Sequence, residues 1–250
     1  MLNDREFIRY QRQVALPNIG EEGQARLKHS HVLIIGCGGL GSAAGLYLAA
    51  AGIGKLVLVD DDVVDTSNLQ RQIVYRESQV DEIKVDAMAE QLNTLNTNVV
   101  VRTINNRMDE SQLKLEVMLA DIVLDCTDNI ESRQLINRLC YSQRTPLVFA
   151  SAIGWQGQFC FFDFKSQPKS GCYRCIYPFD ELPQAGKCSD SGIIGPVVGI
   201  MGNYQSLAAI QYLAMNEMNL KPNVLHVFDG LMLSWQSLLT TTDSTCLVCA

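Results

Sequence analysis

The chain has 250 residues, 47% of them apolar and 19% charged, with a formal net charge of −7. That length supports one large α/β domain or a domain with an elaboration. The acidic balance argues against nucleic acid as the main partner, because phosphate neutralisation needs clustered Lys and Arg. Residues 1–13 are polar and lack the apolar core of a signal peptide, and no apolar stretch is uninterrupted enough to span a membrane. The expected location is therefore cytoplasmic, where nine cysteines serve as thiols, metal ligands or reactive groups.

In chain order, 3–13 patterns as an amphipathic helix with Phe7, Ile8 and Val14 on one side, and 20–28 as a second short helix. His31–Ile35 is an apolar run suited to a parallel strand buried on both faces. Gly36, Gly38 and Gly41 follow it as G-x-G-x-x-G and open a helix rich in Ala and Leu. Such glycines permit a tight turn and close approach of backbone N–H groups to phosphates at a helix N-terminus. Lys55–Val59 is a second strand delivering Asp60, Asp61 and Asp62 at its end, and an acid about 20 residues past the glycines commonly accepts from a ribose hydroxyl. Helical period returns over 80–95, with Ile83, Ala87, Leu92 and Leu95 as core candidates. Strands at 99–104, Ile122–Asp125 and 147–150 alternate with helices at 109–119 and 130–141, predicting a Rossmann-like, doubly wound parallel sheet. From 157 the pattern changes. An aromatic strand at 157–164 has no helix after it, so the sheet continues antiparallel. Residues 165–191 read as a long irregular segment, 195–215 as a helix with Pro196 in its first turn, and 224–228 and Ser234–Leu239 as two last strands.

Two C-x-x-C pairs, Cys172/Cys175 and Cys246/Cys249, each offer two thiolates to a tetrahedral Zn²⁺. They lie about 70 residues apart, so one metal would tie the irregular segment to the C-terminal tail. Independent redox dithiols are the alternative. Asp128, at the end of a parallel strand, suits Mg²⁺ beside nucleotide phosphates, and equally suits a helix N-cap. Arg71 and Lys84 follow the ribose acid and can meet polyphosphate; taken singly, such cations are usually just solvated. Cys188, beside Lys187 and before a helix start, has the setting of a lowered thiol pKa or is a bystander. Cys37, Cys126, Cys140 and Cys160 fall in core elements as packing residues. His29, His31 and His226 form no metal or triad spacing, and no G-x-S-x-G elbow occurs.

Taken together, residues 9–13 (RYQRQ), 36–41, 67–72 (SNLQRQ), 125–129 (DCTDN), 171–175 (GCYRC) and 246–249 resemble, in order, the ThiF/MoeB/HesA branch of the ubiquitin-activating (E1-like) superfamily. The resemblance implies a single adenylation domain over 1–250, with a nucleotide-binding half at 1–150 and a carrier-binding, zinc-stapled half at 151–250. It implies ATP-dependent adenylation of the C-terminal Gly-Gly carboxylate of a ubiquitin-like sulfur carrier, with release of pyrophosphate. The implied nucleotide set is Gly38, Gly39 and Gly41, Asp60 and Asp62, then Ser67, Asn68, Leu69, Gln70, Arg71 and Gln72, with Lys84, Asp128 and Asn129. Asp128 would hold Mg²⁺, Arg12 would enter the partner subunit's site in a homodimer, and Cys188 would match a loop cysteine that can link to the carrier through sulfur. The opening 3–7, the turn 151–154 and Phe228-Asp229-Gly230 with Trp235 look more like ThiF than MoeB, which favours a ThiS-like carrier of the thiamine thiazole pathway over a MoaD-like one. No rhodanese extension is present, so a separate sulfur donor, such as a cysteine desulfurase or a rhodanese, is expected. An NAD-dependent oxidoreductase would share the glycine turn but leave residues 68–72 and Asp128 without a purpose. A non-catalytic carrier-binding module is the third alternative.

Overall fold

Five short runs form parallel strands: β1 (His31–Ile35), β2 (Lys55–Val59), β3 (Val100–Ile104), β4 (Ile122–Asp125) and β5 (Leu147–Ile153). Nearly every side chain of β1 and β2, and all of β4, is buried, so the Val, Ile and Leu of these runs serve both faces without polar alternation. The computed structural model describes residues 2–167, 171–180, 192–215 and 218–250. After β5 the chain reverses through Gly154, at φ +58°, into β6 (Gln156–Phe162). With β7 (Val224–Asp229) and β8 (Ser234–Leu239) this completes an 8-stranded sheet of order β3-β2-β1-β4-β5-β6-β7-β8, antiparallel from β5 onward.

Helices pack on both faces. One core joins α2 (Gly20–His29), α3 (Gly39–Ala51), α4 (Lys84–Leu95) and the 20-residue α8 (Gly195–Ala214) to the sheet. The other joins α5 (Glu110–Leu119), α6 (Ile130–Gln143) and the short α7 (Tyr173–Ile176) to the opposite face, with Cys172, Cys246 and Cys249 inside it. Strand order reverses between β1 and β4, the switch point at whose carboxyl ends open α/β sheets bind ligands.

Three expectations are corrected. Helix α1 (Asp4–Val14) forms where expected, held by an Asn3–Glu6 capping box, but its inner residues are Glu6 and Tyr10. Phe7 and Ile8 stay 43% and 66% exposed. Tyr10 wins the inner position because Gly52 leaves room for its ring and Asn96 Nδ2 donates to its hydroxyl at 2.8 Å. Glu6 is held inside by Lys28, 2.7 Å away, which also keeps its carboxyl below the usual range. Helix α4 starts at Lys84 and not near 80, because a bridge between Val63 and Ile83 and the Lys84 N–H on the Asp62 carbonyl, 3.0 Å, pin an extended lead-in. Leu95, expected inside, is exposed at the helix end.

Candidate active site

The site begins with the turn after β1. Gly36 has φ +94°, and a Cβ there would lie 2.6 Å from the Cys126 carbonyl, so only glycine lets the β1 and β4 ends meet. The turn is pinned on both sides. Cys37 N–H donates to Asp60 Oδ2 at 2.6 Å, and Tyr75 Oη donates to the Cys37 carbonyl at 2.7 Å. Helix α3 then starts with Gly38 as its cap and no side chain on its free N–H groups. Those N–H groups and the helix dipole form an anion site.

The segment 66–72 packs directly on this turn. A Cβ on Gly39 would meet the Arg71 carbonyl at 3.2 Å and Val198 Cγ1 at 2.4 Å, so glycine permits the approach of that segment and of α8. Asp65 caps the single turn Thr66–Asn68 through Ser67 N–H. Arg71 folds back, donating to Asn68 Oδ1 at 2.9 Å and to the Ser67 carbonyl at 3.1 Å. Leu69 packs against the core and Gln70 is exposed, with its carbonyl close to Gly195. Gln72 is 4% exposed, its amide nitrogen faces Gly38, and its Oε1 has no hydrogen-bond partner among the described residues. A buried acceptor left open beside a glycine cradle is what a bound ligand donor would satisfy.

Charge converges on the same place. Lys84 Nζ lies 2.8 Å from Asp62 Oδ2, and burial pushes the Asp60 carboxyl up despite the N–H groups of Cys37 and Asp62 that stabilise its charge. At the end of β4, the cap of α6 is Asn129, which accepts from Ser132 N–H at 2.9 Å. Asp128 is therefore not spent as a cap. It is exposed, and among the described residues its side-chain hydrogen bond is from the Asn129 amide at 3.5 Å. Asp60 thus touches the glycine turn, Lys84 reaches Asp62 two residues on, residues 71–72 pack on Gly38 and Gly39, and Asp128 and Asn129 follow the carboxyl end of β4, the strand next to β1. Arg12 stands apart on α1, exposed, and Cys188 lies outside the described residues.

The second cluster is the cysteine quartet. The sulfurs of Cys172, Cys175, Cys246 and Cys249 lie within 4.8 Å of one another, with Cys172–Cys246 at 3.7 Å and Cys175–Cys249 at 3.3 Å. A disulfide needs about 2.05 Å, whereas four thiolates about 2.3 Å from one Zn²⁺ stand about 3.8 Å apart. The quartet fits a tetrahedral metal with all positions filled, which makes it structural. Asn137 Nδ2 donates to Cys172 Sγ at 3.4 Å, and the N–H groups of Asp243 and Val248 point at Cys175 and Cys246. The remaining described cysteines, Cys37, Cys126, Cys140 and Cys160, are buried with thiols raised by desolvation, as packing residues should be.

The ThiF family model matches residues 10–248. The chain belongs to the ThiF family. It is 45% identical to the Escherichia coli K12 protein named sulfur carrier protein ThiS adenylyltransferase, over 99% of this chain and 97% of that one. It is 40% identical to the E. coli protein named molybdopterin-synthase adenylyltransferase, over 85% and 84% of the two chains. Against the Dictyostelium discoideum protein named adenylyltransferase and sulfurtransferase MOCS3 it is 38% identical but spans only 58% of that protein's length. Among solved structures, the microcin C7 biosynthetic enzyme MccB in complex with N-formylated MccA superposes with a TM-score of 0.82 at 25% identity, over 98% of this chain and 74% of that one. This ThiF-family fold thus has the expected architecture, with its parallel sheet, antiparallel continuation and Cys₄ knuckle.

Residues that sequence reasoning did not single out also build the site. Tyr75 clamps the glycine turn, Asp125 and Arg133 hold the Thr127 turn, and Asn137 holds Cys172. Their only sequence signal was position: Arg133 is a cation near a helix N-terminus, where it opposes the dipole.

Proposed function

We propose that the chain is a sulfur-carrier adenylyltransferase, acting on the C-terminal carboxylate of a ubiquitin-like carrier that ends in Gly-Gly. The observation that supports this is the packing of the Arg71 carbonyl on Gly39 and of the Gln72 amide on Gly38, with Lys84 held at Asp62, an arrangement suited to a triphosphate. An incoming carboxylate oxygen attacks the α-phosphorus of ATP. The bond from that phosphorus to the bridging oxygen breaks, and its electron pair leaves with pyrophosphate. No general base is needed, since the nucleophile is already an anion at neutral pH. Arg71, Lys84 and the α3 N–H groups hold the phosphates in line and meet the charge that develops on them. Mg²⁺, which takes one or two carboxylates plus phosphate oxygens, would be held by Asp128 and would neutralise phosphate charge. Asp60 would orient the ribose.

The persulfide of a separate donor, a cysteine desulfurase or rhodanese, then attacks the acyl-adenylate carbonyl and displaces AMP, and a second thiol cleaves the S–S bond of the acyl persulfide, forming a disulfide with the donor cysteine and releasing the thiocarboxylate. Cys188 is proposed to take part in that transfer. Zn²⁺ in the Cys₄ quartet would staple the tail to the 171–176 knuckle. Arg12, exposed on α1 beside the uncovered Phe7 and Ile8, supports a homodimer in which it reaches the partner's nucleotide. The likeness to the E. coli ThiS adenylyltransferase favours a ThiS-like carrier, and with it the proposed place is the thiamine thiazole pathway, in the cytoplasm. A MoaD-like carrier is the second reading, favoured by the 40% identity to the molybdopterin-synthase adenylyltransferase. Offering the two carriers separately in a pyrophosphate-exchange assay decides between them.

A further inference from the structure

Arg133 sits about one turn into α6, where a cation opposes the helix dipole, yet it is half-buried. Its Nε and one Nη both donate to the Thr127 carbonyl, at 3.2 and 2.6 Å. The guanidinium carbon lies 5.1 Å from the centre of the Phe149 ring on β5. The other polar atoms of Thr127 are taken as well. Its N–H and hydroxyl donate to Asp125 Oδ1 at 3.0 and 2.6 Å, and Asp125 is itself 1% exposed beside Arg133. Every polar atom of the residue before Asp128 is therefore fixed within the protein, while the Asp128 carboxylate faces outward.

We propose that Arg133 is a positioning residue for adenylation: by clamping the Thr127 carbonyl it sets the direction in which Asp128 presents its carboxylate to the nucleotide-bound metal. The inference rests on the reading of Asp128 given above. A local breach of the dipole rule, matched by a forked contact onto one carbonyl, marks a residue kept for geometry. Lysine cannot reproduce it, since an ammonium is a single point donor where the guanidinium offers a planar fork.

The test is carrier-dependent pyrophosphate exchange as a function of Mg²⁺ at saturating ATP, for Arg133→Met, Arg133→Lys and Asp128→Glu, with thermal midpoint and zinc content measured on the same preparations. Loss of an outer-shell partner costs about 10- to 100-fold in metal affinity, so Arg133→Met should raise the half-saturating Mg²⁺ about tenfold or more. Arg133→Lys, which folds with the charge retained, should show a smaller shift in the same direction. Zinc should stay bound in both. Variants that lose thermal stability or active fraction while the half-saturating Mg²⁺ stays at the wild-type value would show a merely structural role and overturn the proposal. Asp128→Glu separates the two levels. If it moves the Mg²⁺ dependence and the Arg133 variants do not, the positioning role fails alone. If Asp128→Glu leaves the dependence unchanged, the Asp128 reading fails and the proposal falls with it.

Discussion

Lys84 places its ammonium 2.8 Å from the carboxylate of Asp62, and the two differ sharply in setting: Lys84 is 5% exposed, whereas Asp62 faces solvent. A buried cation whose ion-pair partner faces solvent is placed to exchange that partner for phosphate. Lys84→Met should lower kcat/KM for pyrophosphate exchange by about 10²- to 10³-fold, the usual cost of deleting one preorganised transition-state donor. A loss below threefold in steady-state kinetics would take Lys84 out of the site.

Asp128 and Asn129 are adjacent, yet their substitutions should separate function from stability. Asn129 caps α6 and Asp128 does not. Asn129→Ala should cost about 1 kcal/mol in chemical denaturation. Asp128→Ala should leave the denaturation midpoint nearly unchanged and abolish exchange. Retained exchange in Asp128→Ala would contradict the metal-facing role.

Asn137 is fully buried and uses both ends of its amide on the cysteine knuckle, donating to Cys172 Sγ and accepting from Tyr173 N–H at 3.0 Å. Purified protein should carry one zinc per chain. Asn137→Ala should release it about 10- to 100-fold faster to a chromogenic chelator, the usual effect of losing an outer-shell partner. Metal-free protein as isolated, or unchanged release, would remove the metal or the role of Asn137 respectively.

Asp125 gives a pH signature. Burial raises its carboxyl in the folded state, only partly offset by Arg133 and the Thr127 hydrogen bonds. The native state therefore holds a proton that the unfolded chain has released above about pH 3.9, so this group's contribution lowers stability as pH rises through that window. Asp125→Asn keeps an acceptor for Thr127 and cannot ionise. The difference in melting temperature, variant minus wild type, should grow more positive from pH 4.5 to 7.5. A constant difference would mean that Asp125 carries no raised pKa.

The sheet was legible because its strands are unmixed apolar runs punctuated by glycine, and because the aromatic strand at 157–164 lacks a helix after it. The glycine turn and the acids after β2 were legible for the same reason, since they occur in short contiguous segments. Contacts between distant residues were not. Glu6 and Tyr10 displace Phe7 and Ile8 from the inner face of α1 only because Lys28, Gly52 and Asn96 lie opposite them. Periodicity scores hydrophobicity and cannot see such partners. Asp128 suited both a metal and a helix cap, and backbone geometry gave the cap to Asn129. Arg133, Asn137 and Tyr75 act through single carbonyls or sulfurs, a role that leaves no mark in spacing.

The most direct test of the central claim is exchange of labelled pyrophosphate into ATP by the purified chain, with and without a ThiS-like carrier ending in Gly-Gly. Exchange that appears only when the carrier is present, and that vanishes when its terminal glycine is removed, is the predicted result. No exchange with any Gly-Gly carrier, together with tight binding of NAD(H) in place of ATP, would contradict it.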